Sequence, residues 1–257
     1  MSEPMTEPVF DLKQAISQLV TEDDTPVDNI LSEKQQRLLT DTLYESWTPP
    51  PAEDEEESSV APVSPRLFWA SANVGIFRSL HMPAIVPDVF VSLDITAPPD
   101  LRTTDQRSYF MWEHGKPPEA VIEIVSNRKG QELGGKLRDY GRMGVLYYAV
   151  YDPMGELRAE MGGKVLQVYE LLFGRRYRRR DDDQLPELGL ELILWDGRFE
   201  DSENSWLRWR DLQGNLLLTG HEHAALESAA RREAEDRASQ AEGRASEAED
   251  RASEAEG

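Results

Sequence analysis

The 257-residue chain reads as an α/β domain built on a mixed sheet flanked by helices, followed by a helical tail of coiled-coil type. Three observations carry this reading. AVIEIVS, a short and almost wholly apolar strand of the buried type, is followed by a helical stretch and then by a second buried strand, VLYYAVYDP. Strand, helix, strand in that order implies a right-handed crossover between parallel strands. KVLQVYELL, GRRYRRR and LGLELILW then follow as antiparallel additions with tight turns. The chain closes on a seven-residue repeat, EAEDRAS, QAEGRAS, EAEDRAS, EAEG.

Taken in order, residues 1–30 are polar, acidic and without period, and are expected to be loosely ordered. The domain is expected over 31–220. It opens on a helix, ILSEKQQRLLTDTLYESW, with Ser32 as its cap and Gln35 three residues on as the partner in a capping box. Leu38 and Thr42 share one side of that helix; Leu39, Leu43 and Trp47 share another. An acidic, proline- and serine-rich linker, 48–65, ends it. RLFWASANVGIF reads as strand and turn, with Asn73-Val74-Gly75 supplying the turn chemistry. PDVFVSLDI alternates, placing Val89, Val91 and Leu93 on one face and Asp88, Phe90, Ser92 and Asp94 on the other. TAPPDLRTTDQRS is loop. In SNRKGQELGGKLRDYGRMG, Leu133, Leu137, Tyr140 and Met143 recur at helical spacing and Gly144 suits the C-cap. Over 221–257 the alanines at 234, 238, 241, 245, 248, 252 and 255 alternate four and three apart, an a/d seam. Alanine buries little area, so a coiled-coil contact, and with it a homodimer, stands beside a solvated single helix as an expectation.

Charge and composition narrow the function. With no cysteine, disulfides and thiolate metal sites are excluded. The N-terminus lacks the basic and apolar blocks of a signal peptide, and the longest apolar runs are too short to span a bilayer. The chain reads as cytoplasmic, without a membrane partner. A net charge of −21 argues at first against nucleic acid. Between Ser64 and Gly220, however, 20 Lys/Arg stand against 23 Asp/Glu, and the remaining 8 against 26 belong to the flanks. The acidity sits in the tails, and a basic groove on the domain remains open.

Two acids stand out. Asp88 opens one strand after Val86-Pro87. Glu123 sits in the middle of an otherwise apolar strand, where a carboxylate is costly unless it is paired or binds a cation. If the two strands are neighbours, about 4.8 Å apart, both carboxylates reach one ion. Two carboxylates with water and substrate phosphate is a common way to hold Mg²⁺. The plainer reading of Glu123 is a structural ion pair with Arg138 or Lys136. Lys136, thirteen residues after Glu123 in the following helix, is the candidate cation for a phosphate; Lys129, in the turn SNRKG, ranks below it. Asp94 reads as a strand-end residue and His221 and His223 as helix-capping residues. The arginine run around Tyr177 (Arg175, Arg176, Arg178, Arg179 and Arg180) reads as a hairpin neutralised by Asp181, Asp182 and Asp183.

VPDVFVSLD, WEHGKPPEAVIEIVS and GGKLRDYGRMGVLYYAVYDP, in that order and spacing, resemble the Uma-two family of restriction endonucleases, a branch of the PD-(D/E)XK nuclease superfamily. The resemblance runs from about Pro26 to Gly220 and includes the Ala/Glu-rich tail. It implies a restriction-endonuclease-like fold, Mg²⁺ or Mn²⁺ as cofactor, DNA as substrate, Asp88 and Glu123 as metal ligands and catalytic acids, and Lys136 as the third catalytic group. In the superfamily the lysine stands two residues after the acid; here that position is Val125, and the family's helix lysine points to Lys136 instead. The reading is a metal-dependent endonuclease hydrolysing DNA phosphodiester bonds. The alternatives are a catalytically degenerate nuclease fold that recruits a protein partner through its acidic tail, and a structural protein acting through its coiled coil.

Overall fold

The computed structural model describes residues 29–52, 66–103, 106–126 and 130–255, with side chains through residue 244. The expected loose N-terminus, most of the acidic linker and Lys129 lie outside the described residues. The chain divides into two compact units between Leu217 and Leu218.

Helix α1, Ile30–Ser46, starts one turn earlier than expected. The cap is Asn29, whose side-chain oxygen accepts the Ser32 N–H at 2.9 Å. Asparagine is among the best capping residues, and its position frees Ser32 to lie buried inside the first turn. Gln35 does not reach back to close a box. It is buried and brackets the Leu207 backbone, donating to the carbonyl at 2.7 Å and accepting from the N–H at 2.9 Å.

Six strands form the central sheet: β1 Phe68–Ala72, β3 Val89–Leu93, β5 Ala120–Ile124, β6 Tyr147–Tyr151, β7 Leu166–Leu172 and β8 Arg176–Arg179, hydrogen-bonded in the order β1-β3-β5-β6-β7-β8. Only β5 and β6 run parallel, joined by the expected helical crossover; the other pairs are antiparallel. β2, Ile76–Phe77, makes a short parallel ladder with β4, Tyr109–Phe110. The turn before β2 puts Asn73 at φ 54°, the left-handed region that asparagine tolerates. Asp94 ends β3 at φ 58° and pairs with Arg66 at 2.8 Å, a strand-end role as expected.

A second sheet follows, in which β10 Leu190–Phe199 pairs with β11 Ser202–Asp211 and with the short β9 Gln184–Leu185. LGLELILW is therefore antiparallel, but in a layer of its own. That layer and α1 cover one face of the central sheet. Leu39, Leu43, Leu190, Leu192, Leu207 and Trp209 pack there against Val89, Val91, Leu93, Ile122 and Ala149.

The opposite face carries Phe90, Val121, Val125, Tyr148 and Val150 and is covered by the crossover helix. That helix begins as a π-helical turn, Glu132–Lys136, and continues as α2, Leu137–Met143. Gly144, at φ 99°, ends it as expected.

The second unit contains α3, Gly220–Ala255. Its start is held by Thr219 and Glu222: the Thr219 hydroxyl accepts the Glu222 N–H at 3.2 Å, and the Glu222 carboxylate accepts the Thr219 N–H at 2.8 Å. This is a capping box, and it takes the role expected of His221 and His223. Every described side chain from His223 to Arg244 is exposed.

Candidate active site

β3 and β5 pair with Val89 opposite Ile122 and Phe90 opposite Val121. One step further along that register sets Asp88 opposite Glu123, so both side chains leave the same face of the sheet. Neighbours two residues away confirm the face, since Phe90, Val121 and Val125 all belong to the layer under the crossover helix. A hydrogen bond closes the geometry: the Asp88 carboxylate accepts the Ile124 N–H at 2.7 Å.

Each carboxylate is held by named donors. The second Asp88 oxygen accepts from the side-chain amide of Gln36 at 2.7 Å. Gln36 is itself fixed by Asn73, whose amide donates to it at 2.7 Å. Helix α1 and the β1–β2 turn thus meet at Asp88. Glu123 is 1 % exposed. It accepts from the Lys136 ammonium at 2.7 Å and from the Tyr140 hydroxyl at 2.7 Å. Lys136 and Tyr140 are four residues apart and share one side of the helix.

Burial pushes the Glu123 carboxyl up to about 8; nearby Asp88 adds to the rise, while Lys136 and Tyr140 oppose it. For Lys136 burial works against the charge, but Glu123, Glu132 and Asp88 outweigh it and the ammonium stands above its ordinary value. Tyr140 is driven well above the tyrosine range, by burial and by Glu123, and remains a neutral donor.

The structure therefore brings Asp88, Glu123 and Lys136 into one cluster. Of the two partners weighed for a plain ion pair at Glu123, it selects Lys136 over Arg138. Val125, two residues after Glu123, is buried among apolar side chains on the same face as Glu123. The ammonium arrives instead from the helix above.

Sequence reasoning missed Gln36, Asn73 and Glu132; it placed Tyr140 in the apolar stripe and on the side of Lys136, without a contact to Glu123. Glu132 is buried, 4.0 Å from the Lys136 ammonium, with one carboxylate oxygen that has no hydrogen-bond partner among the described residues. The only advance signal for Gln36 was a second glutamine beside Gln35 on a helix with two apolar sides.

The donor set suits a hard cation. Each of the four carboxylate oxygens accepts one hydrogen bond and keeps a lone pair, and oxygen-only ligation is what Mg²⁺ and Mn²⁺ take. Among the described residues no three His, Cys, Asp or Glu side chains group as a metal site. Two carboxylates, with water and substrate completing the sphere, is the form that fits.

A mixed sheet flanked by helices, with acids side by side on adjacent strands, is a restriction-endonuclease-like fold. The Uma2 family model, described as "Putative restriction endonuclease", matches residues 32–197. This is more than half of the chain, which belongs to the Uma2 family and so to the nuclease class. No curated protein matches it. Among the described residues, no helix is long and apolar enough to cross a membrane.

Proposed function

We propose that the protein is an endonuclease that hydrolyses DNA phosphodiester bonds, with Asp88 and Glu123 holding Mg²⁺ or Mn²⁺ and Lys136 acting on the phosphate. The observation that carries this reading is the register of β3 and β5, which sets the two acids on one face beneath the lysine. When bound, the cation neutralises the scissile phosphate and lowers the pKa of the attacking water.

The chain's own residues do the positioning. The Ile124 N–H and Gln36 fix both oxygens of Asp88, so its orientation is set before substrate arrives. Tyr140 holds one oxygen of Glu123 from within the core. The Lys136 side chain is about a third exposed while Glu123 is sealed, so the ammonium stands between the buried acid and solvent. Because its charge is stabilised there, Lys136 serves as a hydrogen-bond donor to developing negative charge and not as a base.

Plasmid DNA incubated with the purified protein, with and without Mn²⁺, tests the reading. Metal-dependent nicking or linearisation is expected. Asp88→Ala should lose both cleavage and metal binding measured by calorimetry. Lys136→Ala should lose cleavage, by about a hundredfold or more as for other transition-state donors, while keeping most of the metal affinity. Wild-type cleavage by Lys136→Ala would show the lysine to be a bystander. A wild-type protein that neither binds metal nor cuts would favour the degenerate, protein-recruiting alternative.

A further inference from the structure

Between the crossover helix and the β7–β8 hairpin lies an open pocket of about 240 Å³, lined by Leu137, Arg138, Arg142, Arg175, Arg176 and Tyr177. Four of its six lining residues are arginines, and all four are exposed. Arg138 and Arg142 come from α2, one helical turn apart. Arg175 and Arg176 come from the β7–β8 hairpin. The two elements are pressed together at Gly141, where an added Cβ would stand 3.1 Å from the Arg175 carbonyl oxygen and 3.4 Å from the Tyr177 ring. Tyr177 is anchored through its hydroxyl to the Val145 carbonyl at 2.7 Å, so the floor of the pocket is fixed.

The arginine run is neutralised less fully than its sequence suggested. Arg180 pairs with Asp182 and Glu170, and Arg178 pairs with Glu170 across the hairpin. Arg142 pairs with Asp139 at 3.1 Å, and Arg175 donates to the Arg142 carbonyl. Neither Arg138 nor Arg176 has a carboxylate partner among the described residues. A pocket that gathers four guanidinium groups around one nearby acid is built for an anion, and the guanidinium fork matches phosphate.

Beside it, the tip of the hairpin presents an aromatic ring to water. Phe173 is fully exposed, on the turn that Gly174 at φ 82° and Arg175 at φ 59° complete. An exposed phenylalanine costs solubility, and its natural partner next to bound phosphates is the face of a base or an opened base step. β8 stands three strands from β5 in the sheet order. At about 4.8 Å per strand that is roughly 14 Å, within the span of a DNA duplex lying over the acid cluster.

We infer that this arginine pocket and the Phe173 tip form the surface that grips the backbone of the DNA duplex outside the cleavage position. The inference rests on the nucleic-acid substrate proposed above. The test is fluorescence anisotropy with a labelled DNA duplex and no divalent metal, run across a salt series alongside the Mn²⁺ cleavage assay. For Arg138→Ala/Arg176→Ala, binding should weaken at least about tenfold and the slope of log affinity against log salt should fall by about two, one per lost phosphate contact. Phe173→Ala should weaken binding with the salt slope unchanged, because stacking releases no counterions.

Variants that bind the duplex with wild-type affinity and slope overturn the surface, and Mn²⁺-dependent cleavage by the wild type would leave the nuclease reading standing. Arginine-dependent duplex binding without any cleavage supports the surface and sinks the nuclease reading instead. A poly-glutamate peptide that binds through these arginines while the duplex does not would also overturn it, marking the pocket as a site for acidic protein.

Discussion

The two faces of the central sheet are made by the same strands and have opposite tasks. On one face Val89, Val91, Leu93, Ile122, Ile124 and Ala149 form one hydrophobic cluster with Leu39, Leu43, Leu207 and Trp209. On the other, the same strands deliver Asp88 and Glu123 to the underside of a helix that carries a lysine and a tyrosinate precursor, kept neutral, for the second acid. Apolar burial drives folding at about 25 cal/mol per Å². A sealed carboxylate works against it. The first face supplies stability, and the second carries a cost that Lys136 and Tyr140 offset only in part. The Uma2 match, residues 32–197, takes in the strands of both faces and α1 but ends before Leu207 and Trp209.

The largest effect should come from the apolar face. Trp209 is fully buried, and its indole N–H donates to the Leu39 carbonyl at 2.9 Å, tying β11 to α1. Trp209→Ala should cost about 3–5 kcal/mol in denaturant unfolding. Metal affinity of the folded fraction should be unchanged. A loss below about 1 kcal/mol would show that the three-stranded layer is not part of the cooperative core.

The second prediction inverts the first. Glu123 is raised by burial to about 8 from an ordinary 4.5. The folded protein therefore keeps a proton that the unfolded chain releases between those values. The corresponding stability is fully present below about pH 4.5 and is lost as pH rises through 8. Glu123→Gln cannot titrate and should escape that loss. In EDTA its melting temperature should gain on the wild type from pH 5 to pH 8, by the equivalent of a few kcal/mol at most, while metal-dependent cleavage disappears. A variant destabilised equally at both pH values would identify Glu123 as half of a structural ion pair, and the contrast between the faces would collapse.

Much of this contrast was legible in the sequence, for a physical reason in each case. One acid within AVIEIVS is visible because apolar neighbours leave it no solvent to face. The alternation of PDVFVSLDI shows which residues share a side with Asp88. Helical spacing set Lys136 and Tyr140 together. What escaped depends on contacts between distant segments. Gln36 reaches Asp88 across 52 residues, and beyond its place beside Gln35 nothing local marks it. The capping residue was misplaced because Asn29 and Ser32 are both good caps, and burial of Ser32 decided between them. The helix was foreseen but not its π-helical first turn, in which the Lys136 N–H reaches back to the Gln131 carbonyl, five residues earlier. The arginine hairpin was judged by its nearest carboxylates in sequence, whereas Arg178 finds Glu170 across the strand pair. SENSWLRWRD gave no strand at all, although it forms the partner that covers the apolar face.

The smallest effect is expected from the C-terminal helix, the region least like either face. Its alanine seam follows a heptad, and a heptad normally marks a buried stripe. Alanine, however, contributes one methyl group per position, and Gly243 interrupts the series. The described side chains from His223 to Arg244 are exposed, and the helix is held at its start by its own capping box, Thr219 with Glu222. A chain ending at His223 keeps that box, and the helix after it brings little apolar area to any partner. Removing residues 224–257 should therefore change the unfolding free energy by less than about 0.5 kcal/mol, the usual span of surface changes. The Mn²⁺-dependent cleavage rate should be equally indifferent. Sedimentation velocity on both chains sharpens the point. A full-length dimer that becomes monomeric on truncation would show that the weak seam does pair, and a stability loss above about 1 kcal/mol on the same truncation would show that the domain leans on that pairing.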